Sequence, residues 1–275
     1  MDTPELLETE LIALSPSRAA DFKACPQLFK FRAIDRLPEP SDPSRARGTL
    51  VHAVLERLCR MPAAERTIGT ARGLLGDVWA ELKELDELAG LDLDAEAEAS
   101  WLDEADRMIR NYFRLEDPAR VIVHDVEARV THEGERTALR GIVDRIEVRD
   151  DGEWVLVDYK TGRPPSSERA LGSFFGLKFY ALVCWRAFGR MPQELRLIQL
   201  GQPEVITLRP SEQMLLGLER QLDALGTAIL RARTTGDWRP RPSWLCDHCS
   251  HQAVCPAWAT NEAASSTSVC EHKTA

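Results

Sequence analysis

A chain of 275 residues with 44 % hydrophobic and 29 % charged side chains can bury a real core, and reads as an ordinary globular protein of one large domain or two small ones. Its net charge of −9 excludes a protein that coats nucleic acid by charge alone, yet leaves room for a nucleic-acid enzyme with a local basic channel. No apolar run approaches a membrane span, and Met1-Asp-Thr-Pro-Glu5 lacks a basic stretch leading into an apolar one, so the expectation is a cytoplasmic protein with no membrane role.

From the N-terminus, Leu14-Ser-Pro-Ser17 starts a helix, with Ser15 as N-cap and Pro16 at the first helical position. Cys25-Pro26 breaks it, a short helix from Gln27 to Ala33 follows, and Pro38, Pro40 and Pro43 mark a loop. Gly48 begins the next helix, whose apolar stripe Val51, Leu55 and Leu58 runs beside His52 and Glu56, four residues apart and close enough to share a site. A histidine there is more often a hydrogen-bonded structural residue than a ligand. Thr67 to Phe113 reads as two long helices. Between Asp77 and Asp106 there are twelve carboxylates against the single Lys83, which suits a solvent-facing helical segment away from any DNA path.

Three β-branched strands come next, the first at Val121–Val130 and the second and third in Gly141-Ile-Val-Asp-Arg-Ile-Glu147 and Val155-Leu-Val-Asp-Tyr-Lys-Thr-Gly162. Asp151-Gly152 between the last two is a hairpin signal. Alternation puts Asp144 in a row with Ile142, Ile146 and Val148, and puts Asp158 and Lys160 in a row with Trp154 and Leu156. Two carboxylates in apolar rows beside an ammonium suit a divalent metal with a neighbouring lysine; a buried Asp-Lys ion pair has the same spacing. An amphipathic helix over Ser167–Phe188 carries Lys178 and Tyr180, two short strands at Leu195–Leu200 and Val205–Leu208 follow, and Ser211–Arg233 is a last long helix. The alternation predicts an α/β or α+β fold around a mixed sheet.

The seven cysteines read as metal ligands or thiols before disulfides. Cys246-x2-Cys249-x5-Cys255 is a metal knuckle that needs a fourth ligand. Cys25, like Cys255 followed by proline, is the natural candidate and would make an iron–sulfur set; zinc with His248 or His251 is the alternative, and spacing does not choose. Cys59 and Cys184 sit in apolar stretches and are expected in the core, and the small polar segment 259–275, with Cys270, is expected to be disordered.

His52 on a helix after Gly48, Gly-Ile-Val-Asp144-Arg-Ile-Glu, Val-Asp158-Tyr-Lys160-Thr-Gly, and Tyr180 on the following helix together resemble the RecB-type branch of the PD-(D/E)XK nuclease superfamily. Cys25 with Cys246, Cys249 and Cys255 is similar to the iron–sulfur variants of that branch, found in AddB-type helicase–nucleases and in CRISPR-adaptation nucleases. The likeness runs from about Leu14 to Cys255. It implies a restriction-endonuclease-like core over residues 1–258, with a helical insert at about 67–115 and a cysteine cluster formed by 239–258 with Cys25.

The implied activity is a metal-dependent deoxyribonuclease, an exonuclease on single-stranded DNA in repair or recombination. The alternatives are a CRISPR-adaptation nuclease or a DNA-binding module that kept the fold with weakened catalysis. His52, Asp144, Asp158 and the backbone carbonyl of Tyr159 would hold one or two Mg²⁺ or Mn²⁺ ions, and Lys160 would orient the attacking water or stabilise the transition state. Tyr180 would contact substrate, Glu56 would support His52, and the four cysteines would hold a [4Fe–4S] cluster that staples the N-terminal helix to the C-terminal segment. One position departs from the family: the glutamine expected four residues before the tyrosine is Gly176 here. There is no G-x-x-x-x-G-K-[ST] loop, so any helicase partner is a separate chain.

Overall fold

A computed structural model describes residues 11–85, 90–162 and 170–258; the expected tail 259–275 and the expected helix start at Ser167 lie outside the described residues. The described residues divide into two compact units, one drawn from 1–40, 135–137 and 222–275, the other from 41–134 and 138–221.

In the smaller unit a short strand β1 (Ile12–Leu14), not expected from the sequence, hydrogen-bonds through the Ile12 amide to the Arg136 carbonyl at 3.0 Å. Helix α1 (Pro16–Ala24) starts as its sequence dictates, the Ser15 hydroxyl accepting the Arg18 N–H, and Cys25 turns the chain into α2 (Pro26–Phe29). The expected Gln27–Ala33 helix closes on a wider turn over Lys30–Ile34 with π-type spacing. Phe22, Phe29 and Trp238 form the aromatic centre of this unit, with Phe29 stacked on Trp238 at 6.0 Å.

In the larger unit α3 (Pro43–Arg60) begins more than a turn before Gly48, because Asp42 caps it, accepting the Arg45 N–H at 2.7 Å, and Pro43 fits the first position. Helices α4 (Ile68–Leu82) and α5 (Ala95–Leu115) are capped by Thr67 and Asp94. Strands β2 (Val123–Glu133), β3 (Thr137–Val148) and β4 (Trp154–Lys160) form the expected antiparallel meander. Helices α6 (Ala170–Ser173) and α7 (Phe175–Phe188) then carry the chain across to β5 (Glu194–Gln199), which lies parallel to β4, as such a pairing requires of a crossover; β6 (Glu204–Leu208) closes the edge antiparallel to β5. Helix α8 (Glu212–Thr235) starts in this unit and ends in the smaller one. The result is the mixed central sheet flanked by helices that the alternation predicted.

Each face of β4 has its own task. Val155, Val157 and Tyr159 join Ile198 of β5 and Leu200 just after it in a core with α3, α4 and α5, so the acidic helices reach the centre of the unit through one apolar stripe, with Trp79 and Trp101 at 4.7 Å. Leu156 and Asp158 point to the other face, with Leu195 and Leu197 beside them. Among the described residues no helix is long and apolar enough to cross a membrane.

The most buried charge is one the sequence did not single out. Arg145 of β3 is 0 % exposed and its guanidinium donates to both Glu116 oxygens at 2.6 and 3.0 Å, to Glu147 at 2.6 Å, and to the hydroxyls of Tyr112 and Tyr159 at 2.9 and 2.7 Å. The network ties the end of α5 to the sheet. Arg145→Met removes the cation but leaves Glu116 and Glu147 buried, so urea denaturation is expected to report a loss of about 3–5 kcal/mol. A loss under about 1 kcal/mol is the range of an exposed pair and would show that the network does not hold the fold.

Candidate active site

The ladder between β3 and β4 ends at Arg145 opposite Val157. Beyond it the side chain of Asp144 replaces the backbone: its Oδ2 accepts the Tyr159 N–H at 2.7 Å. Alternation turns Asp144 and Asp158 to the face opposite Arg145, so the carboxylates gather where the strands part. Asp158 is 7 % exposed. The row of Asp144 is less apolar than the sequence suggested, since Ile146 is buried but Ile142 is 40 % exposed, and the site opens to solvent there.

The Lys160 ammonium lies 2.6 Å from Asp158 Oδ2 as an ion pair. Apart from that ion pair, this buried oxygen has no hydrogen-bond partner among the described residues. Burial pushes the Asp158 carboxyl above its ordinary range; Lys160 opposes that rise and the Asp144 charge adds to it.

His52 on α3 reaches the same spot. Its Nε2 lies 3.0 Å from the Tyr159 carbonyl, which only accepts, so this nitrogen carries the proton; Nδ1 faces Asp144 Oδ2 at 3.5 Å. Burial opposes charge on the ring, but Asp144 and Asp158 outweigh it and raise the imidazole above its ordinary value. Glu56, expected beside His52, instead accepts from Arg60, its i+4 neighbour, at 2.8 Å.

Glu127 completes the group. It lies on β2 between Val126 and Ala128, which pair with Arg145 and Val143, so alternation aims it at the Asp144 face. Its φ is 50°, a left-handed conformation that few side chains adopt, and His52, Glu127 and Asp144 can present ligand atoms within 4.8 Å of one another. Burial, then the Asp144 charge, pushes the Glu127 carboxyl up. The sequence reading missed this residue, although Val126, Ala128 and Val130 are buried at period two and mark Glu127 as pointing to the other face.

Tyr180 of α7 lies flat on Gly141 of β3, where an added Cβ would meet the ring at 2.3 Å, so only glycine lets the ring settle there. Burial, then Asp158, Asp144 and Glu127, raises the Tyr180 hydroxyl well above the usual range, which places the phenol among the carboxylates. The Glu127 and Asp144 carboxylates and the His52 imidazole make a donor set that suits Mg²⁺ or Mn²⁺, with the buried Asp158 carboxylate and its Lys160 partner beside it.

A family model described as the PD-(D/E)XK nuclease superfamily matches residues 13–256. The chain belongs to that superfamily. A solved structure from Eubacterium rectale, assigned provisionally as an exonuclease, is similar at 14 % identity with a TM-score of 0.57, over 91 % of this chain and 93 % of that one. A second, the protein SSO0001, is 14 % identical with a TM-score of 0.41, over 90 % and 88 % of the two chains. No curated protein matches the sequence. The likeness to the first structure is one of fold, a mixed central sheet flanked by helices.

The cysteines of this PD-(D/E)XK chain sort into two kinds. Cys59 and Cys184 are buried core residues, as expected. In the smaller unit Cys25, Cys246, Cys249 and Cys255 line a single cavity of about 50 Å³ with Leu28, Phe31 and Trp258. Two of the sulfurs accept backbone amides, Cys25 from Arg241 and Cys246 from Ser243, each at 3.4 Å. Neither histidine lines the cavity, and His251 Nε2 is engaged with Glu39 at 3.1 Å.

The raised Glu127 carboxyl gives a signed expectation. A carboxyl whose folded pKa lies above its unfolded value favours folding when protonated, and this contribution is lost as pH rises through the folded value, so at neutral pH the charge opposes folding. Glu127→Gln is therefore expected to raise the melting temperature in chelator at pH 7.5 while shrinking the further rise produced by Mn²⁺. Differential scanning calorimetry with and without the metal reads both, and an unchanged Mn²⁺ gain would remove Glu127 from the metal site.

Proposed function

We propose that the chain is a metal-dependent deoxyribonuclease of the RecB type that degrades single-stranded DNA from an end. The observation that carries the reading is the convergence of His52, Glu127 and Asp144, with the buried Asp158 and its ion-paired Lys160 beside them. His52, Asp144, Asp158, Glu127 and the Tyr159 carbonyl would hold Mg²⁺ or Mn²⁺. When bound, the ion would lower the pKa of a water and neutralise charge on the scissile phosphate.

The chain's own residues do the rest. The Tyr159 amide fixes Asp144, and its carbonyl fixes the His52 ring, so both groups are held before substrate arrives. Lys160, with a half-exposed side chain, orients the attacking water and meets the charge that grows on the phosphoryl oxygens. The water gives a proton to solvent as its oxygen bonds to phosphorus, the P–O bond to the leaving oxygen breaks, and that oxygen departs protonated from solvent. Tyr180 borders the site as a ring against which a nucleotide rests. Gly176 sits one turn before it on α7 and supplies no side chain to the DNA backbone, so that contact is weaker in this chain. A cytoplasmic role in repair beside a separate helicase chain goes with this reading.

For the cysteines the reading is a [4Fe–4S] cluster that closes the smaller unit. The four thiols line one cavity with the apolar Leu28, Phe31 and Trp258, a setting that suits a cluster held by four sulfurs. Amide donation to two sulfurs suits thiolate ligands.

Two predictions test the proposal. Lys160→Ala should lower Mg²⁺-dependent cleavage of end-labelled single-stranded DNA by about 10²–10³-fold while keeping the Mn²⁺-induced rise in melting temperature, whereas Asp144→Ala should lose both. Cleavage by Lys160→Ala at the parent rate would sink the nuclease reading, and rapid cutting of a circular single strand would make the enzyme an endonuclease. The second concerns colour: protein purified without oxygen should be brown and contain iron and acid-labile sulfide, and Cys25→Ala should be colourless and less stable. Stoichiometric zinc without iron would replace the cluster by a zinc staple.

A further inference from the structure

Beside Lys160, on the neighbouring strand, lies a polar side chain that the site as described does not use. Gln199 ends β5 and pairs with Lys160 in the parallel register, so the two side chains leave the same face of the sheet. The residues two and four positions before it on that face, Leu197 and Leu195, are fully buried. Gln199 itself is 2 % exposed, and its side-chain oxygen Oε1 has no hydrogen-bond partner. A buried amide oxygen without a donor opposes folding, and a leucine would continue the row at no such cost. Its position is also firmly set. The Leu200 amide donates to the Lys160 carbonyl at 2.7 Å, Asn111 holds the Leu200 carbonyl at 2.8 Å, and Gly201 lets the Thr161 carbonyl approach to 2.8 Å of where a Cβ would be.

Among the described residues two buried oxygens on this face have no directed hydrogen bond, Asp158 Oδ2 and Gln199 Oε1, and Lys160 stands next to both, two residues from Asp158 on β4 and opposite Gln199 in the register with β5. Resting on the metal-dependent reading above, we propose that Gln199 is a positioning residue for Lys160: when Asp158 Oδ2 is given to a cation, the lysine ammonium exchanges that oxygen for Gln199 Oε1. The exchange explains why an amide rather than a hydrocarbon ends a leucine row. A carboxamide suits the task because it accepts a hydrogen bond from the ammonium without adding a fourth negative charge to Asp144, Asp158 and Glu127. It leaves Lys160 charged and aimed along the sheet face at the place where the water and phosphate would lie.

The test compares Gln199→Leu and Gln199→Glu with the parent. In chelator, Gln199→Leu should melt no lower than the parent, because it removes an orphaned acceptor, and Mn²⁺ should raise its melting temperature as much. Its kcat on a single-stranded oligonucleotide with Mg²⁺ should nevertheless fall about tenfold at unchanged KM, with Gln199→Glu restoring it to within about threefold. A second readout needs no turnover. The nitrogen-15 ammonium resonance of Lys160, assigned by its absence in Lys160→Ala, should be visible and protected from solvent exchange in the Mg²⁺-loaded parent and lost in Gln199→Leu. Parent-rate cleavage by Gln199→Leu with the resonance retained overturns the proposal, as does a loss of activity that merely tracks a lower melting temperature or a smaller Mn²⁺ gain. Failure of the nuclease reading looks different: parent and Lys160→Ala would then be equally inactive, while the resonance would still report whether Gln199 holds the lysine.

Discussion

Tyr159 is held at three points, and the larger unit is arranged around them. Its amide donates to Asp144, its carbonyl accepts from His52, and its hydroxyl accepts from Arg145 across the sheet. One residue thereby joins the carboxylate that leaves the β3 ladder, the histidine that arrives on α3, and the buried cation that anchors α5. The backbone groups of Tyr159 would be unsatisfied once β3 and β4 part, and in a buried setting that costs about 1–3 kcal/mol for each group. The site residues supply the missing partners, so the opening of the sheet and the assembly of the site are a single event.

The two faces of that sheet solve opposite electrostatic problems. On the α5 side Arg145 and Arg196 meet Glu116 and Glu147, two positive charges against two negative, and the arrangement is closed. On the other side Asp144, Asp158 and Glu127 meet one imidazole and one ammonium, and the balance is left negative. The raised Asp158 and Glu127 carboxyls are the thermodynamic mark of that imbalance. The left-handed backbone at Glu127 adds strain in the same place. Such costs persist only where the surrounding fold over-determines them, and here the closed Arg145 network lies directly behind the open site.

The smaller unit has a thinner apolar centre, Phe22, Phe29 and Trp238, and its four cavity-lining cysteines come from two stretches far apart in the chain. A group bound by all four would close a very long loop, which is where a covalent or metal clip removes the most unfolded-state entropy in principle. That is a structural task, and it matches an arrangement in which backbone amides serve the sulfurs while the apolar side chains keep water away.

Local rules were enough for much of this protein. The Ser15-Pro16 start, the order of helices and strands, the Asp144 and Asp158-x-Lys160 strands and the Cys25 with Cys246, Cys249 and Cys255 grouping were legible because capping, alternation and ligand spacing act over a few residues. What lay beyond them depends on partners distant in sequence. Arg145 looked like one more charge in a strand until Tyr112, Glu116 and Tyr159 closed around it. Glu127 joined the site through the β2–β3 register and an unusual φ, and Glu56 pairs with Arg60 while its charge still bears on Glu127. Gln199 acquired meaning only from the parallel pairing that sets it beside Lys160. Sequence alone determined which residues could carry charge, coordinate metal or start a helix, since these follow from side-chain chemistry and short-range periodicity. Tertiary structure decided which of them meet, because burial and strand register set the partners of each polar group, and no local pattern encodes them.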